Sequence, residues 1–381
     1  MGPLTGVRVV EFGQYIAVPA ASQTLLDLGA EVIKIESPRG DASRHIGQHG
    51  EGIVRAYNRG KESISLDLRD RRDWRVAHEL VMGADVVVQN LRHGALAALG
   101  LGPKQVRAEK PELVYVSVSG FPPGSLSQDR AGLDIAAQAE SGIMSLTGER
   151  SRDPQRVGFP LVDAATGHAV VQAVTTGLFQ RERTGEGMTA HISLLQVALH
   201  MQAAMWGEWS VTGTMPLRKG NGQDAMAPAA DLVATSDGMV MLSAYVQSHF
   251  RKLCDTLGHP EWVDDERFAV NDARRAHRGA LLELLHGVMG EWTTAECIQR
   301  LGDAGVVIAE VRDYEAVLRA PDVIDGGLLV DALDERGARF RIPGPPFSVE
   351  GYDPPSGGRV PDVGEHSERY VGHGWPHSSS A

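Results

Sequence analysis

This sequence predicts a doubly wound α/β fold with a mostly parallel sheet, followed by a smaller α+β domain, and three observations carry the prediction. Short apolar runs such as VRVVEF, EVIKIE, ADVVVQN and LVYVSVS alternate with stretches of helical composition through the first 200 residues. These runs are nearly continuous in Val and Ile, as strands buried on both faces require. Between Met201 and Ala230 the pattern gives way to an aperiodic polar segment containing Gly, and beyond it the chain reads as a hairpin and then helices.

In order, Val7 to Phe12 is a strand, Pro19 to Leu28 is helical and stops at Gly29, and Glu31 to Glu36 is a second strand, closing a βαβ unit. A dinucleotide site needs GxGxxG directly after the first strand. The chain instead has GQYIAVP, Gly13 to Pro19, so the architecture is Rossmann-like without that fingerprint. A helix over Asp70 to Met82, a strand over Asp85 to Gln89, a short helix near Ala95 and a strand over Leu113 to Ser119 continue the alternation. A helix-like stretch, Asp134 to Ser145, and a strand, Thr189 to Leu194, end the large domain, 1–200. A linker, 201–230, leads to a small α+β domain, 231–334. It opens with strands Asp231 to Thr235 and Met239 to Ser243 about Ser236, Asp237 and Gly238, and continues with helices near 249–257, 279–292 and 294–303. The closing HSSSA, His377 to Ala381, has the composition of a disordered tail.

The formal net charge of −12 disfavours nucleic acid as a partner. Residues 1–110 carry +2 and the remainder −14, so an anionic ligand suits the N-terminal part better. No apolar run is long enough to cross a bilayer and no signal-peptide pattern opens the chain, so no membrane partner is expected and the cytoplasm is the expected location. Cys254 and Cys297 stand far apart with no CxxC partner and read as small core residues. His45 and His49 have i, i+4 spacing, but Gly47 lies between them and there is no HExxH, so no metal site is expected.

The stretch GFPLVDAATGHAVVQAVTTGLFQRERTG, Gly158 to Gly185, reads as a loop delivering one carboxylate, Asp163, to the start of a long helix. Val170, Val171, Val174 and Leu178 give that helix a buried face, Arg181 and Arg183 suit its last turn, and Gly185 ends it. A carboxylate at a helix N-terminus meets unpaired N–H groups and a partial positive charge, which favours its ionised, nucleophilic form. The same position suits a plain N-cap, and local sequence by itself favours the cap.

This segment resembles the active-site segment of the family III CoA-transferases, the group that also contains the α-methylacyl-CoA racemases. In them an aspartate and a small-residue turn open a long helix that ends in TGxG. The matching residues are Asp163, Thr166 and Gly167, and Thr184 to Gly187. The resemblance extends over the initial βαβ, NRGKESISLDLRD, ADVVVQN and the closing GEHS at Gly364 to Ser367. It implies a large domain completed by about residues 335–381, an interlocked homodimer, and a reaction in which CoA passes from an acyl-CoA to a carboxylic acid acceptor. Asp163 is then the nucleophile, forming an anhydride and an aspartyl-CoA thioester, with no cofactor beyond the coenzyme A substrate. N–H groups around Ala164 to Gly167 are the expected oxyanion donors.

The positions matching the family's coenzyme-contacting set are Leu66, Asp67, Leu68, Arg69, Asn90 and Leu91, with Arg39 and Arg92 as further candidates. Phosphates call for Arg and backbone N–H groups, and adenine for apolar walls. Arg44 is a further basic residue of the SPRGDASR segment. Gly220 to Gly222 stands in the region of the family's glycine-rich lid. Racemases of the group carry GHD before the active-site loop. Here the residues are Gly132, Leu133 and Asp134, and leucine cannot shuttle a proton, which ranks racemase below transferase. A catalytically silent CoA-binding homologue is the remaining alternative.

Overall fold

Six parallel strands, β1 (Arg8–Phe12), β2 (Glu31–Glu36), β3 (Glu62–Ser65), β4 (Val86–Gln89), β5 (Val114–Ser119) and β6 (Thr189–Ser193), pair in the order β3-β2-β1-β4-β5-β6. This computed structural model describes residues 1–223, 227–355 and 357–375, and the HSSSA tail lies outside them. Side chains alternate across the strands, and each face carries an apolar cluster. Val9, Val32, Val86, Val88, Val114 and Val116 pack under the helices Ala17–Asp27 and Leu161–Thr184. Val10, Ile33, Ile64, Val87 and Tyr115 pack under the helix Arg71–Gly83 on the other face. Asp70 caps that helix through the N–H groups of Arg72 (2.7 Å) and Asp73 (3.3 Å).

The helix expected over 134–145 is two, Asp134–Glu140 and Ile143–Leu146, because Gly142 between them takes φ +92°. Among the elements that escaped the sequence reading are the helix Gly47–Tyr57, which begins at the glycine that argued against it, and β3, whose ESIS is too short and polar to stand out.

The C-terminal segment returns to the sheet and covers β3. Ser63 N–H donates to His366 Nδ1 (3.2 Å), His366 N–H to the Ser63 carbonyl (2.9 Å), and Ser65 N–H to Ser367 Oγ (3.0 Å). Trp375 joins the core and donates to the Leu80 carbonyl at 2.8 Å. An edge strand that would otherwise present unpaired backbone groups is thereby closed.

The chain separates into two units, one of residues 1–143, 156–211 and 324–381, the other of 144–155 and 212–323. These limits differ from the sequence reading in three places. Ala203–Thr212, read as part of a linker, is a helix belonging to the first unit. Strands β10 (Leu329–Leu333) and β11 (Arg339–Pro343) form a hairpin that also belongs there, because residues 357–360 bond along β10. The segment 144–155 joins the second unit, where Arg218 donates to the carbonyls of Glu149 and Arg152. That unit is built on the antiparallel sheet β7 (Ala230–Ala234), β8 (Met239–Ser243) and β9 (Val307–Glu310), whose core includes Phe250, Cys254, Leu285 and Cys297. No helix among the described residues is long and apolar enough to cross a membrane.

Candidate active site

The strand order reverses direction between β1 and β4, and a crevice opens at such a switch point beyond the carboxyl ends of the strands. The register sets Phe12 beside Gln89, so the turns after the two strands lie side by side. The Asn90 side chain donates to the Gln14 carbonyl and accepts the Gln14 N–H, both at 2.8 Å. Asp41 accepts the Tyr15 N–H at 3.1 Å, and Lys34 Nζ donates to the Gly13 carbonyl at 2.7 Å. A Cβ on Gly13 would lie 2.5 Å from Glu11 Oε1. Tyr15 has φ +62°, alone among the described non-glycine residues. Such a backbone costs about 1–3 kcal/mol and persists only where its surroundings fix it, as side chains from three separate segments do here.

Beneath this turn lies a buried charge cluster that sequence reasoning missed. Lys34 bonds Glu11 (2.7 Å) and Asp41 (2.9 Å), and Lys61 bonds Glu11 (2.7 Å), Ser22 Oγ (2.8 Å) and the Pro19 carbonyl (2.9 Å). Burial raises the Glu11 pKa, but the two ammonium groups outweigh it and hold Glu11 at about 2. Burial brings Lys61 down to about 8 despite Glu11. The signal was present in the sequence: Glu11 and Lys34 interrupt strands buried on both faces, where an unpaired charge is not tolerated.

Asp163 stands in the first turn of Leu161–Thr184, and another residue caps that helix. Asp134 Oδ1 accepts the N–H groups of Val162 (2.7 Å) and Asp163 (3.2 Å), while its Oδ2 accepts from Gln138 Nε2 (2.6 Å). Gln138 Oε1 in turn takes the Val157 N–H at 2.9 Å, so the pair clamps the loop that delivers Asp163. The capping reading of Asp163 is therefore corrected, and with it the expectation that helix N–H groups keep it ionised. Burial, and then the neighbouring Asp134 charge, push Asp163 up to about 7. Tyr57, at the end of its helix, is raised by burial and by the charge of Asp163, so it is a second polar group in the carboxylate's field that the sequence did not reveal.

The helix Leu161–Thr184 approaches Ala17–Asp27 closely, since a Cβ on Gly167 would lie 3.2 Å from Ala20 Cβ and 3.3 Å from the Ala17 carbonyl. Asp163 shares a cavity of about 730 Å³ with Gln14, Tyr15, Ala17, Arg92 and Leu133. The oxyanion donors expected at Ala164 to Gly167 are corrected too, because the helix begins at Leu161 and Ala164 N–H is bonded to the Pro160 carbonyl at 3.0 Å. The Ala17–Asp27 helix, by contrast, starts in the cavity without a side-chain cap, and its first-turn N–H groups are placed for an anion.

A half-buried carboxylate at the switch point, next to an uncapped helix start, is a setting suited to acyl transfer, and the sequence pattern of CoA-transferase family III matches residues 4–367. The chain belongs to that family. It is 34% identical to the succinate–glutarate CoA-transferase of Agrobacterium fabrum over 97% of this chain and 95% of that one. It is 32% identical to the acetyl-CoA:oxalate CoA-transferase of Acetobacter aceti over 93% and 91%. A crystal structure of a CAIB/BAIF family protein from Brucella suis superposes with a TM-score of 0.85 at 33% identity, covering 98% of this chain and 99% of that one.

In this family III CoA-transferase, Asn90, Leu91 and Arg92 line the cavity of Asp163. Both ends of the Asn90 amide are engaged with Gln14, whereas Arg92 is exposed. Arg39, Leu66, Asp67, Leu68 and Arg69 lie outside that cavity, just past the carboxyl ends of β2 and β3 on the same edge of the sheet. From β4 to β3 is three strand spacings, roughly 14 Å, which suits an extended ligand. Leu66 is only 3% exposed and packs in the core, so the apolar surface open at that edge is Leu68 and Leu91. Asp67 is tied to the Arg69 N–H (3.1 Å), and its own N–H to Asp73 (2.8 Å). Arg44 is engaged with both Glu36 oxygens and the Pro361 carbonyl. In the second unit, Gly220 N–H bonds the Gly148 carbonyl at 3.2 Å, and the residues just after Gly222–Gln223 lie outside those described.

Proposed function

We propose that this enzyme moves CoA from an acyl-CoA thioester to a carboxylic acid, with Asp163 as the covalent nucleophile. A Asp163 oxygen attacks the thioester carbonyl; the C–S bond breaks, leaving an acyl-aspartyl anhydride and CoA thiolate. The thiolate attacks the aspartyl carbonyl, the anhydride C–O bond breaks, and the donor acid leaves as its carboxylate. The acceptor carboxylate attacks the aspartyl-CoA thioester and expels the thiolate, which then takes the acceptor's acyl carbon and returns Asp163 as carboxylate. Thioester, carboxylate and acid close this cycle without a further cofactor. First-turn N–H groups at Ile16 and Ala17 are the donors for the tetrahedral oxyanions.

The observation that carries this reading is the freedom of the Asp163 carboxylate. It opens on the cavity, caps nothing, and no hydrogen bond among the described residues holds its oxygens, so it is available to attack. Leu133, 55% exposed, lines the same cavity at the position where the racemase pattern places histidine, which weighs against proton shuttling there. Arg39, Leu68, Arg69, Leu91 and Arg92 bind the coenzyme, with Leu66, Asp67 and Asn90 shaping the backbone beneath it. The working unit is an interlocked homodimer. Purified protein mixed with an acyl-CoA and a panel of acids should yield new thioesters by mass spectrometry; none with any acid would defeat the reading.

A further inference from the structure

On the face of the sheet opposite the Leu161–Thr184 helix, β5 and β6 present Tyr115, Ser117 and Ser119 beside Thr189, His191 and Ser193. Five of these six are polar, and none of them is Asp, Glu, Lys or Arg. Over them a cavity of about 790 Å³ stays open, bounded by the loop after β4 and by the helix Pro103–Glu109. It is lined by Arg92, Lys104 and Arg107 with His93 and His191, and by no described aspartate or glutamate, in a chain of net charge −12. Arg107 meets only neutral acceptors, the carbonyls of Pro111 (2.8 Å) and Gly187 (3.0 Å) and the Thr189 hydroxyl (3.4 Å). Its Nε is buried without a partner. No carboxylate therefore neutralises this guanidinium, and its field extends into the cavity.

This cavity adjoins that of Asp163, since Leu91, Arg92, His93, Val118 and Ser119 line both. The reaction needs such a neighbour. In the cycle proposed above, one acid leaves and another arrives while CoA remains joined to Asp163, with the coenzyme lying along the edge over β2, β3 and β4. The acids must come and go by another path.

We propose that the basic cavity is the subsite through which the free carboxylic acid reaches Asp163, and that it holds a dicarboxylate more tightly than a monocarboxylate of equal length. The inference rests on the transferase reading for its place in the cycle, but the cavity's affinity for a carboxylate can be measured without turnover. The side chains of Lys104 and His191 are exposed and make no described hydrogen bond, so substituting them leaves the fold's contacts intact. Binding of glutarate is measured by calorimetry with and without saturating CoA, on the wild type and on Lys104→Glu, Lys104→Gln and His191→Glu. The expected result is that CoA leaves glutarate bound, that the charge reversals weaken glutarate on the order of tenfold while CoA affinity holds, and that Lys104→Gln has a smaller effect. Glutarate insensitive to all three substitutions, displaced by CoA, or bound no better than butyrate would overturn the proposal. Glutarate bound as expected, by a protein that transfers no CoA, would uphold the subsite and defeat the transferase reading alone.

Discussion

Asp134 accepts the backbone N–H of Asp163 at 3.2 Å, which places two carboxylates at the first turn of one helix. The one that caps is satisfied by three donors, and the one that faces the cavity is left with a raised pKa. Competition for the helix N–H groups thus keeps Asp163 basic and unengaged.

Asp134→Asn retains an accepting oxygen for Val162 and Asp163 but removes the charge. The Asp163 pKa should fall from about 7, and the acid limb of the rate of covalent adduct formation should move to lower pH by about one unit. Asp134→Ala, which also loses the cap, should in addition cost about 1 kcal/mol of stability. A pH profile unmoved in Asp134→Asn would show that burial alone sets the shift.

Asp163 holds its proton up to about 7 in the folded protein against 3.8 ordinarily. Between those values the native state binds more protons than the unfolded chain, so this residue's contribution lowers stability as pH rises through the window and remains a penalty above it. At ~1.4 kcal/mol per pKa unit the penalty is at most roughly 4 kcal/mol. Asp163→Asn should abolish transfer and yet resist urea better than the wild type, by about 1–2 kcal/mol at pH 8 and by less at pH 5. An equal change at both pH values would contradict the assignment.

Incubation with a good acyl-CoA donor should leave an adduct on the peptide containing Asp163, removable by hydroxylamine, because anhydrides and thioesters react with that nucleophile and carboxylates do not. Racemisation would exchange the substrate's α-proton for solvent deuterium and leave no adduct. Exchange without adduct would transfer the assignment to that chemistry.

The strands were legible because burial on both faces forces unbroken apolar runs, and β2 falls on the residues read from its sequence, Glu31 to Glu36. Helix Gly47–Tyr57 was not, since Gly47, Gly50 and Gly52 mask its periodicity and packing overrides propensity. The Asp163 segment could be singled out locally, but its cap comes from a residue 29 positions away, a relationship without a local signature. Glu11 and Lys34 were legible as anomalies, whereas their partner Lys61 lies 50 residues from Glu11.

Lys34→Met should act through the turn it supports. Removing one cation leaves the Asp41 Oδ2 and Glu11 Oε1 atoms buried without the opposing charge they face, a loss of about 3–5 kcal/mol. It also frees the Gly13 carbonyl and loosens the strained Tyr15 backbone. Turnover measured well below the variant's melting temperature should fall at least tenfold, because the uncapped helix start moves with that turn. Normal turnover in a merely destabilised protein would confine the cluster to a structural role.

The proposal of an interlocked homodimer makes a prediction about exchange. The helix Ala203–Thr212 has no buried residue, Trp206 is 50% exposed and Val211 87%, and Met201 just before it is exposed as well. An apolar stretch of this extent calls for a cover, and a second copy of the chain supplies one if the two are threaded through each other. Threading cannot be undone without unfolding, so light scattering should find one dimeric species at every dilution. Tagged and untagged protein should form no mixed dimers until denaturant unfolds both. Mixing under native conditions would exclude threading even if the protein proved dimeric, whereas a monomer at low concentration would leave the helix facing solvent and exclude the dimer itself.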